Sequence, residues 1–357
     1  MAQASDPEWT IEEANRSIQT VSETAGRDTV IMPIPVSSPA IGSGLGLAAM
    51  ALYRPGGRAV PWTSGVGGMY TDSKSWGAAV FHKANFNEDR LRLNAAAGLG
   101  DLHVDFYGIG ADAGSRDMSI ALEQKVHFAS GRILTRIRDG TYLGVTGRYL
   151  DVRTILDLSE IDLPGDLTIP PLERDSRTVT LGAALEHDTR DSPYGPRRGL
   201  YGTADYVWAD EALGGDFNYT RLQASLNAYA PLAENTVVAA RVSLCNVGDG
   251  APFYDLCSFG QNADLRGYAS GRFRDHALLA GQVELRQSLS RRFGVVVFAG
   301  VGGVAADLDK IGEGELLPAA GLGLRYRASE AYGVNLSIDY AVGRDSHGLY
   351  FRIGEAF

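Results

Sequence analysis

From residue 40 to the end of the chain, apolar and polar residues alternate with a period of two. In Val334 to Val342 the apolar positions are Val334, Leu336, Ile338, Tyr340 and Val342, with Asn335, Ser337, Asp339 and Ala341 between them. Such alternation marks a half-buried strand and excludes an amphipathic helix. The same period runs through Val179–Leu185, Leu222–Ala228, Leu279–Leu285 and Leu349–Ile353. Sixteen strands are predicted, at approximately 41–53, 60–70, 75–85, 89–98, 102–109, 118–132, 141–157, 176–188, 199–209, 216–230, 235–245, 277–289, 293–305, 317–328, 332–342 and 347–357. The break at Gly98-Leu99-Gly100-Asp101 rests on parity, because a single-chain bacterial barrel has an even strand count.

Length and facing decide the class. Most of these strands are long enough to cross a membrane, which takes roughly 9–11 residues, whereas strands in soluble proteins average about 5–6. One face is Val, Leu, Phe and Ala; the other carries Arg, Glu, Gln, Asp and Asn. That is an apolar exterior around a wet lumen, with every backbone group paired by closure. The expected fold is all-β: a 16-stranded antiparallel transmembrane β-barrel over 39–357, behind a short N-terminal periplasmic or plug segment, 1–38. In that segment a short helix is expected between Asp6 and Ala25. Met32-Pro33-Ile34-Pro35-Val36 then reads as extended, because proline disfavours helix on both sides. Turns such as Thr71–Lys74 and Leu232–Glu234 are expected on one rim, and long loops such as 158–175 and 246–276 on the other.

Composition narrows the picture. The net charge is −10 and glycine is 44 of 357 residues. The acidic balance argues against nucleic acid as a partner, which needs a basic patch. An apolar content of 45% excludes a disordered chain. No apolar run reaches 18 residues, so no transmembrane helix is expected. The start, Met1-Ala2-Gln3-Ala4-Ser5-Asp6, has neither a charged n-region nor an apolar h-region. It reads as a mature N-terminus behind an initiator Met, with an export signal already removed. Cys245 and Cys257 flank a Gly/Pro turn. Two thiols cannot complete a zinc site unaided, and no metal or other cofactor is expected. They read as a loop-closing disulfide in an oxidising compartment, with two free thiols as the alternative.

Three local sequences are more specific: Asp264-Leu265-Arg266-Gly267-Tyr268, Asp188-Thr189-Arg190-Asp191-Ser192-Pro193-Tyr194-Gly195-Pro196, and Tyr350-Phe351-Arg352-Ile353-Gly354-Glu355-Ala356-Phe357. Together they resemble the BamA/TamA outer-membrane superfamily, also called the bacterial surface antigen family. Leu265, Arg266, Gly267 and Tyr268 look like that family's VRGF/VRGY motif on the sixth extracellular loop, which folds back into the barrel. In the family the motif arginine meets a strand-12 glutamate, matched by Glu284, and an acidic residue in a Phe-x-Asp-x-Gly segment. Here that segment is Phe298-Ala299-Gly300-Val301-Gly302, so glycine replaces the acid. Phe351, Ile353 and Phe357 match the family's C-terminal strand signal, and Phe357 is expected in the periplasmic aromatic girdle. Leu349, Phe351 and Ile353 should face lipid, Tyr350, Arg352 and Gly354 the lumen, with Glu355 on the lipid side at headgroup level. The ~38 residues before the first expected strand are too few for a POTRA module. The expectation is a POTRA-less branch or an isolated barrel domain.

The resemblance implies a protein of the bacterial cell outer membrane that assists insertion or translocation of outer-membrane or surface components. Its partners would be outer-membrane lipid and lipopolysaccharide, with unfolded barrel clients or a periplasmic partner. The route would be a seam between the first and last strands, weakened by Gly42, Gly44 and Gly46, since glycine weakens a strand interior. Relief of crowding inside the barrel is the other reading of these glycines. The alternative function is a passive or structural channel plugged by loop six and the N-terminal segment. Enzymatic readings are poor. The six histidines are scattered. Ser346–His347 is the one adjacent serine–histidine pair. Gly44-x-Gly46-x-x-Ala49 opens no helix, so it fails as a dinucleotide motif. Asp307, Asp309, Glu313 and Glu315 read as a solvated acidic loop.

Overall fold

A computed structural model describes residues 27–38, 41–57, 61–116, 118–156, 175–259 and 264–357. One antiparallel sheet contains sixteen strands. They are β1 (Arg27–Ser38), β2 (Gly42–Tyr53), β3 (Trp62–Thr71), β4 (Trp76–Phe86), β5 (Leu91–Phe106), β6 (Ile120–Arg138), β7 (Thr141–Leu156) and β8 (Asp175–Asp188) in the first half. The second half comprises β9 (Gly199–Ala209), β10 (Tyr219–Ala233), β11 (Thr236–Val247), β12 (Ala277–Ser288), β13 (Phe293–Ala305), β14 (Leu317–Ser329), β15 (Val334–Gly343) and β16 (Ser346–Ile353). Each is laddered to its neighbour in the chain, and β1 lies against β16, so the sheet forms a nearly closed barrel. A five-residue helix, α1 (Ala111–Ser115), interrupts the connection from β5 to β6. The helix expected between Asp6 and Ala25 lies outside the described residues.

The strand total matches the expected sixteen through two compensating differences. Residues 27–38 form the first barrel strand, so the barrel begins before the expected boundary at 38. The prolines hide this strand, because both lie on its outer face and weaken the β signal. Leu91–Phe106 is one strand and not two. Gly98 and Gly100 suggest a turn, but Gly98 lies against Phe128 on β6, where a Cβ would collide with the ring. The consequence is a change of side for everything before β5. The 72–75 turn lies on the same rim as the long loops, opposite the Glu234–Asn235 turn. Gly42, Gly44 and Gly46 also move. They lie on β2, laddered to β1 on one side and, at Gly44 and Gly46, to β3 on the other, so none borders the seam.

The facing follows side-chain chemistry. Outward positions include Leu45, Leu47, Val80, Val145, Val283, Leu322 and Leu324, each about half exposed or more. A continuous apolar belt of this kind is unsustainable in water and suits lipid. Inward positions on β12, β14 and β15 include Glu284, Arg286, Arg325, Ser337 and Asp339, all buried. Every connection longer than ten residues lies on one rim and the other rim holds only shorter ones, the pattern of the extracellular and periplasmic rims of a single-chain barrel. Loop six, residues 248–276, is the sixth connection on the long-loop rim. Replacing Leu322 by arginine should cost roughly 2–4 kcal/mol of stability in bilayers, as for a cation near the lipid midplane. Urea titration checks this, and a cost near zero would place Leu322 outside the hydrocarbon layer.

Candidate functional site

Loop six enters the lumen and is held from both ends. Cys245 on β11 and Cys257 in the loop form a disulfide with a Cα–Cα distance of 5.8 Å. Beyond it, a two-residue pairing joins Cys257–Ser258 to Arg274–Asp275. Asp255 lies at the base of the loop and is buried. It accepts from Arg148 Nη2 on β7 at 2.5 Å, from Arg221 Nη1 on β10 at 2.6 Å and from the Tyr219 hydroxyl. Burial alone would raise the Asp255 pKa, but Arg148 and Arg221 outweigh it and hold the carboxyl below its ordinary value.

At the loop tip, Arg266 is buried among the strands closing the barrel. Its Nη1 donates to Asp339 Oδ2 on β15 at 2.6 Å, and its Nη2 donates to Glu284 on β12. Its guanidinium lies 3.4 Å from the centre of the Phe298 ring on β13. Gly267 has φ +112°, and a Cβ there would lie 3.0 Å from the Val342 carbonyl, so glycine alone lets the loop lie flat on β15. Its N–H donates to the Tyr350 hydroxyl on β16 at 2.8 Å. Tyr268 donates to the Pro318 carbonyl on β14 at 2.6 Å. Leu265 is buried beside β13, where a Cβ on Gly300 would lie 2.9 Å from its Cδ1.

This last contact explains the replaced acid. Gly300 makes room for Leu265, and the second carboxylate comes instead from Asp339. Asp339 has the inward parity of β15, the polar face already visible in the 334–342 alternation. It also accepts from Arg325 Nη1 at 2.5 Å and from Arg352 Nη1 at 3.3 Å. Glu284 accepts from Arg286 Nε at 2.8 Å. Glu355 accepts from Arg325 Nε at 2.7 Å and from Asn335 Nδ2 at 2.6 Å. Glu355 therefore points into the lumen and not to the headgroups. Gly354, at φ +106°, breaks the alternation and turns the residues after it inward. Phe357 follows, its ring 5.3 Å from the Arg286 guanidinium and 5.9 Å from that of Arg241, so it lies off the expected girdle. Phe351 and Ile353 keep the outward parity, opposite Ile338 and Leu336. Ser346 and His347 point to opposite faces of β16, so they form no catalytic pair. Asp307 pairs with Lys310 at 2.6 Å, and Glu315 accepts from Ser115 Oγ at 2.7 Å.

A second feature lies where the ring ends meet. Among the described residues no backbone ladder joins β1 to β16. The β1–β2 register is continuous through Pro33↔Leu47 and Pro35↔Leu45. Residues of one parity on an antiparallel strand turn N–H and C=O to the same side. A continuous ladder to β2 therefore requires the two prolines to face away from it, toward the seam, where they offer no N–H. At the short-turn rim a hydrophobic cluster bridges the gap. Val30, Met50 and Leu52 come from the inner face of β1–β2, and Leu336 and Ile353 from the outer face of β15–β16. The two ends therefore overlap there. Tyr332 and Tyr194 join the cluster, and Ser329 donates to Asp28.

A barrel with its sixth loop locked inside through an arginine matches a known family. The Omp85 superfamily domain profile matches residues 133–357. The chain belongs to the Omp85 superfamily. No curated protein matches its sequence. Among solved structures, the Omp85 barrel resembles BamA from Haemophilus ducreyi lacking POTRA domains 1–3, at 18% identity and a TM-score of 0.57, covering 92% of this chain and 69% of that one. It also resembles CdiB from Acinetobacter baumannii, at 13% identity and a TM-score of 0.57, covering 92% of this chain and 59% of that one. CdiB from Escherichia coli matches at 13% identity and a TM-score of 0.60, covering 91% and 62%. This Omp85 barrel thus spans under two thirds of either CdiB chain.

Asp339→Asn should cost roughly 3–5 kcal/mol, because it leaves Arg266 buried with one carboxylate fewer. Urea unfolding in micelles measures this, and a loss below 1 kcal/mol would mean that water already screens the pair. The Asp255 latch sets a pH dependence. A carboxyl with a lowered folded pKa contributes stability above its unfolded value of about 3.9, lost as pH falls through the folded value. Protease cleavage within loop six should stay slow from pH 8 to pH 5 and quicken only below about pH 4. Quickening already above pH 5 would mean that the Asp255 latch does not hold the loop.

Proposed function

We propose that this Omp85 protein works in the bacterial outer membrane, assisting insertion or translocation of outer-membrane or surface components through the β1–β16 seam. The observation that carries the reading is the missing ladder, with Pro33 and Pro35 on the free side of β1. An unpaired strand edge is a template for another strand, which gains affinity from backbone hydrogen bonds and specificity from alternate side chains. In this reading β16 supplies the templating edge, β1 is kept from closing on it, and the loop-six lock holds β12–β16 rigid while the seam moves. The clients are unfolded strands arriving from the periplasm, and a periplasmic partner would deliver them. The role is not catalytic.

A specific observation favours a second reading. Loop six enters the lumen and is bonded to β7, β10, β12, β14, β15 and β16, as a plug would be. The test is client folding by the barrel in liposomes, with Val30→Cys and Ile353→Cys oxidised to pin the seam. Both residues belong to the bridging cluster. The proposal expects client folding to stop on oxidation and return on reduction with a reagent too mild to open Cys245–Cys257. Folding that ignores the cross-link, or ion conductance with no client folding, would favour the channel.

Pro33→Thr combined with Pro35→Thr returns two donors to the seam. Each hydrogen bond formed is worth about 0.5–1.5 kcal/mol. The double variant should melt higher and fold clients more slowly. A variant that melts higher with unchanged client folding would separate the seam from the activity.

A further inference from the structure

The loop-six lock does not end at its two carboxylates. Glu284 also accepts from Arg286 Nε at 2.8 Å, and Asp339 also accepts from Arg325 Nη1 at 2.5 Å. Both of these arginines reach Glu355, which lies 2.7 Å from Arg325 Nε and 4.0 Å from Arg286 Nε. Six groups thus close a ring of alternating sign: Arg266, Glu284, Arg286, Glu355, Arg325 and Asp339. None of their side chains is more than 10% exposed. Arg352 adds a fourth guanidinium, 3.3 Å from Asp339, and Arg286 Nη2 donates to the Phe357 main-chain oxygen at 2.9 Å. Among the described residues no hydrogen bond or ion pair joins Glu355 directly to Arg266.

Five of the six groups stand on strands or on the docked loop. Glu355 alone stands on a tail, Gly354–Phe357, that has left the sheet. The β15–β16 ladder ends at Leu336↔Ile353, and the Gly354 N–H makes one more bond, to the Asn335 carbonyl at 2.6 Å. A Cβ on Gly354 would meet nothing within 4 Å, so its φ of +106° and not its packing requires glycine there. The tail side is also the looser half of the ring. It has the 4.0 Å link, and Arg286 Nη1 and Arg325 Nη2 are buried there without a hydrogen-bond partner among the described residues. Both arginines and Glu355 line one lumenal cavity of about 60 Å3, a space that admits water. If Glu355 is lost, Arg325 and Arg286 keep only Asp339 and Glu284. They then compete with Arg266 for those oxygens and repel it in a site where little water screens the charge.

We propose that Glu355 is a positioning residue of the loop-six lock, acting on Arg266 through Arg325 and Arg286. The tail hinged at Gly354 thereby couples β16, the seam strand, to the docking of loop six. Coupling of this kind is reciprocal: whatever frees the tail loosens the loop, and the reverse.

The test is hydrogen–deuterium exchange of the full chain in bilayers, read by mass spectrometry. Two places are compared: the loop-six tip, 264–272, where the Gly267 N–H is bonded to Tyr350, and the remote β5–β6 ladder. Glu355→Gln should speed exchange at the tip by roughly tenfold, within the range for coupled sites, and leave β5–β6 unchanged. Gly354→Ala should act in the same direction with all six charges in place, because an L side chain is strained at that φ. In an Asp339→Asn background, Glu355→Gln should add much less, since one route to Arg266 is already cut. Arg266→Lys should in turn speed exchange of the 350–357 peptide. Tip exchange within about twofold of the unaltered chain in both Glu355→Gln and Gly354→Ala, the scatter of independent sites, would overturn the proposal. So would an undiminished step in the Asp339→Asn background. If Glu355→Gln loosens β5–β6 as much as the tip, its effect is global and the Gly354→Ala result decides. Client folding is not read, so this coupling and the seam reading can fail separately.

Discussion

A strand in lipid must give every N–H and C=O a partner, because hydrocarbon offers none. Among the described residues this barrel meets that demand between all strands adjacent in sequence, and no ladder meets it between β1 and β16. The other features are arranged around that omission. Pro33 and Pro35 remove donors from the free edge of β1 without disturbing its ladder to β2. The hydrophobic overlap of Val30, Met50 and Leu52 with Leu336 and Ile353 holds the ends together by burial, which is non-directional and reversible. A ladder of backbone bonds would fix one register; a greasy overlap does not.

The wall opposite in character is β12 to β15. There a buried arginine on a loop binds carboxylates on two strands that are not neighbours, Glu284 and Asp339. A buried ion pair adds little net stability over an apolar packing, but breaking one partner is severe. Its effect is positional. Loop six can dock only where both carboxylates converge, with Gly267 flat on β15 and the Tyr268 hydroxyl on β14. The loss of an acid at position 300 therefore leaves the lock intact. The guanidinium is met by two carboxylates, and Asp339 supplies the second from a different strand while Gly300 admits Leu265.

Much of this was legible in the chain. The alternation in β15 gave its facing directly, and the Leu-Arg-Gly-Tyr motif with Glu284 pointed to the lock. Asp339 was readable only in part: its inward parity was visible, but its partner lies 73 residues away. The first five strands were less legible for a physical reason. Several inward positions of β2 to β5 are glycines, Gly44, Gly46, Gly65, Gly67, Gly98 and Gly100 among them, which look like turns, and β1 carries prolines, which look like the absence of a strand. Glu355 and Phe357 were misplaced because alternation was continued through Gly354, whose positive φ ends it. The seam glycines failed with the strand count, since Gly42, Gly44 and Gly46 were assigned to the wrong strand.

The central claim is that the ring is closed by ladders everywhere except between β1 and β16. Electron–electron resonance distances between paired spin labels on outward positions test it most directly. One pair would sit across the seam, at Ile31 and Leu349. The other would sit across an ordinary ladder, at Leu285 and Val297, which are register partners. The account predicts a narrow distribution for the second pair and a broad one for the first, narrowing when Pro33 and Pro35 are replaced by threonine. A seam pair as narrow as the ladder pair in the unaltered protein would contradict it.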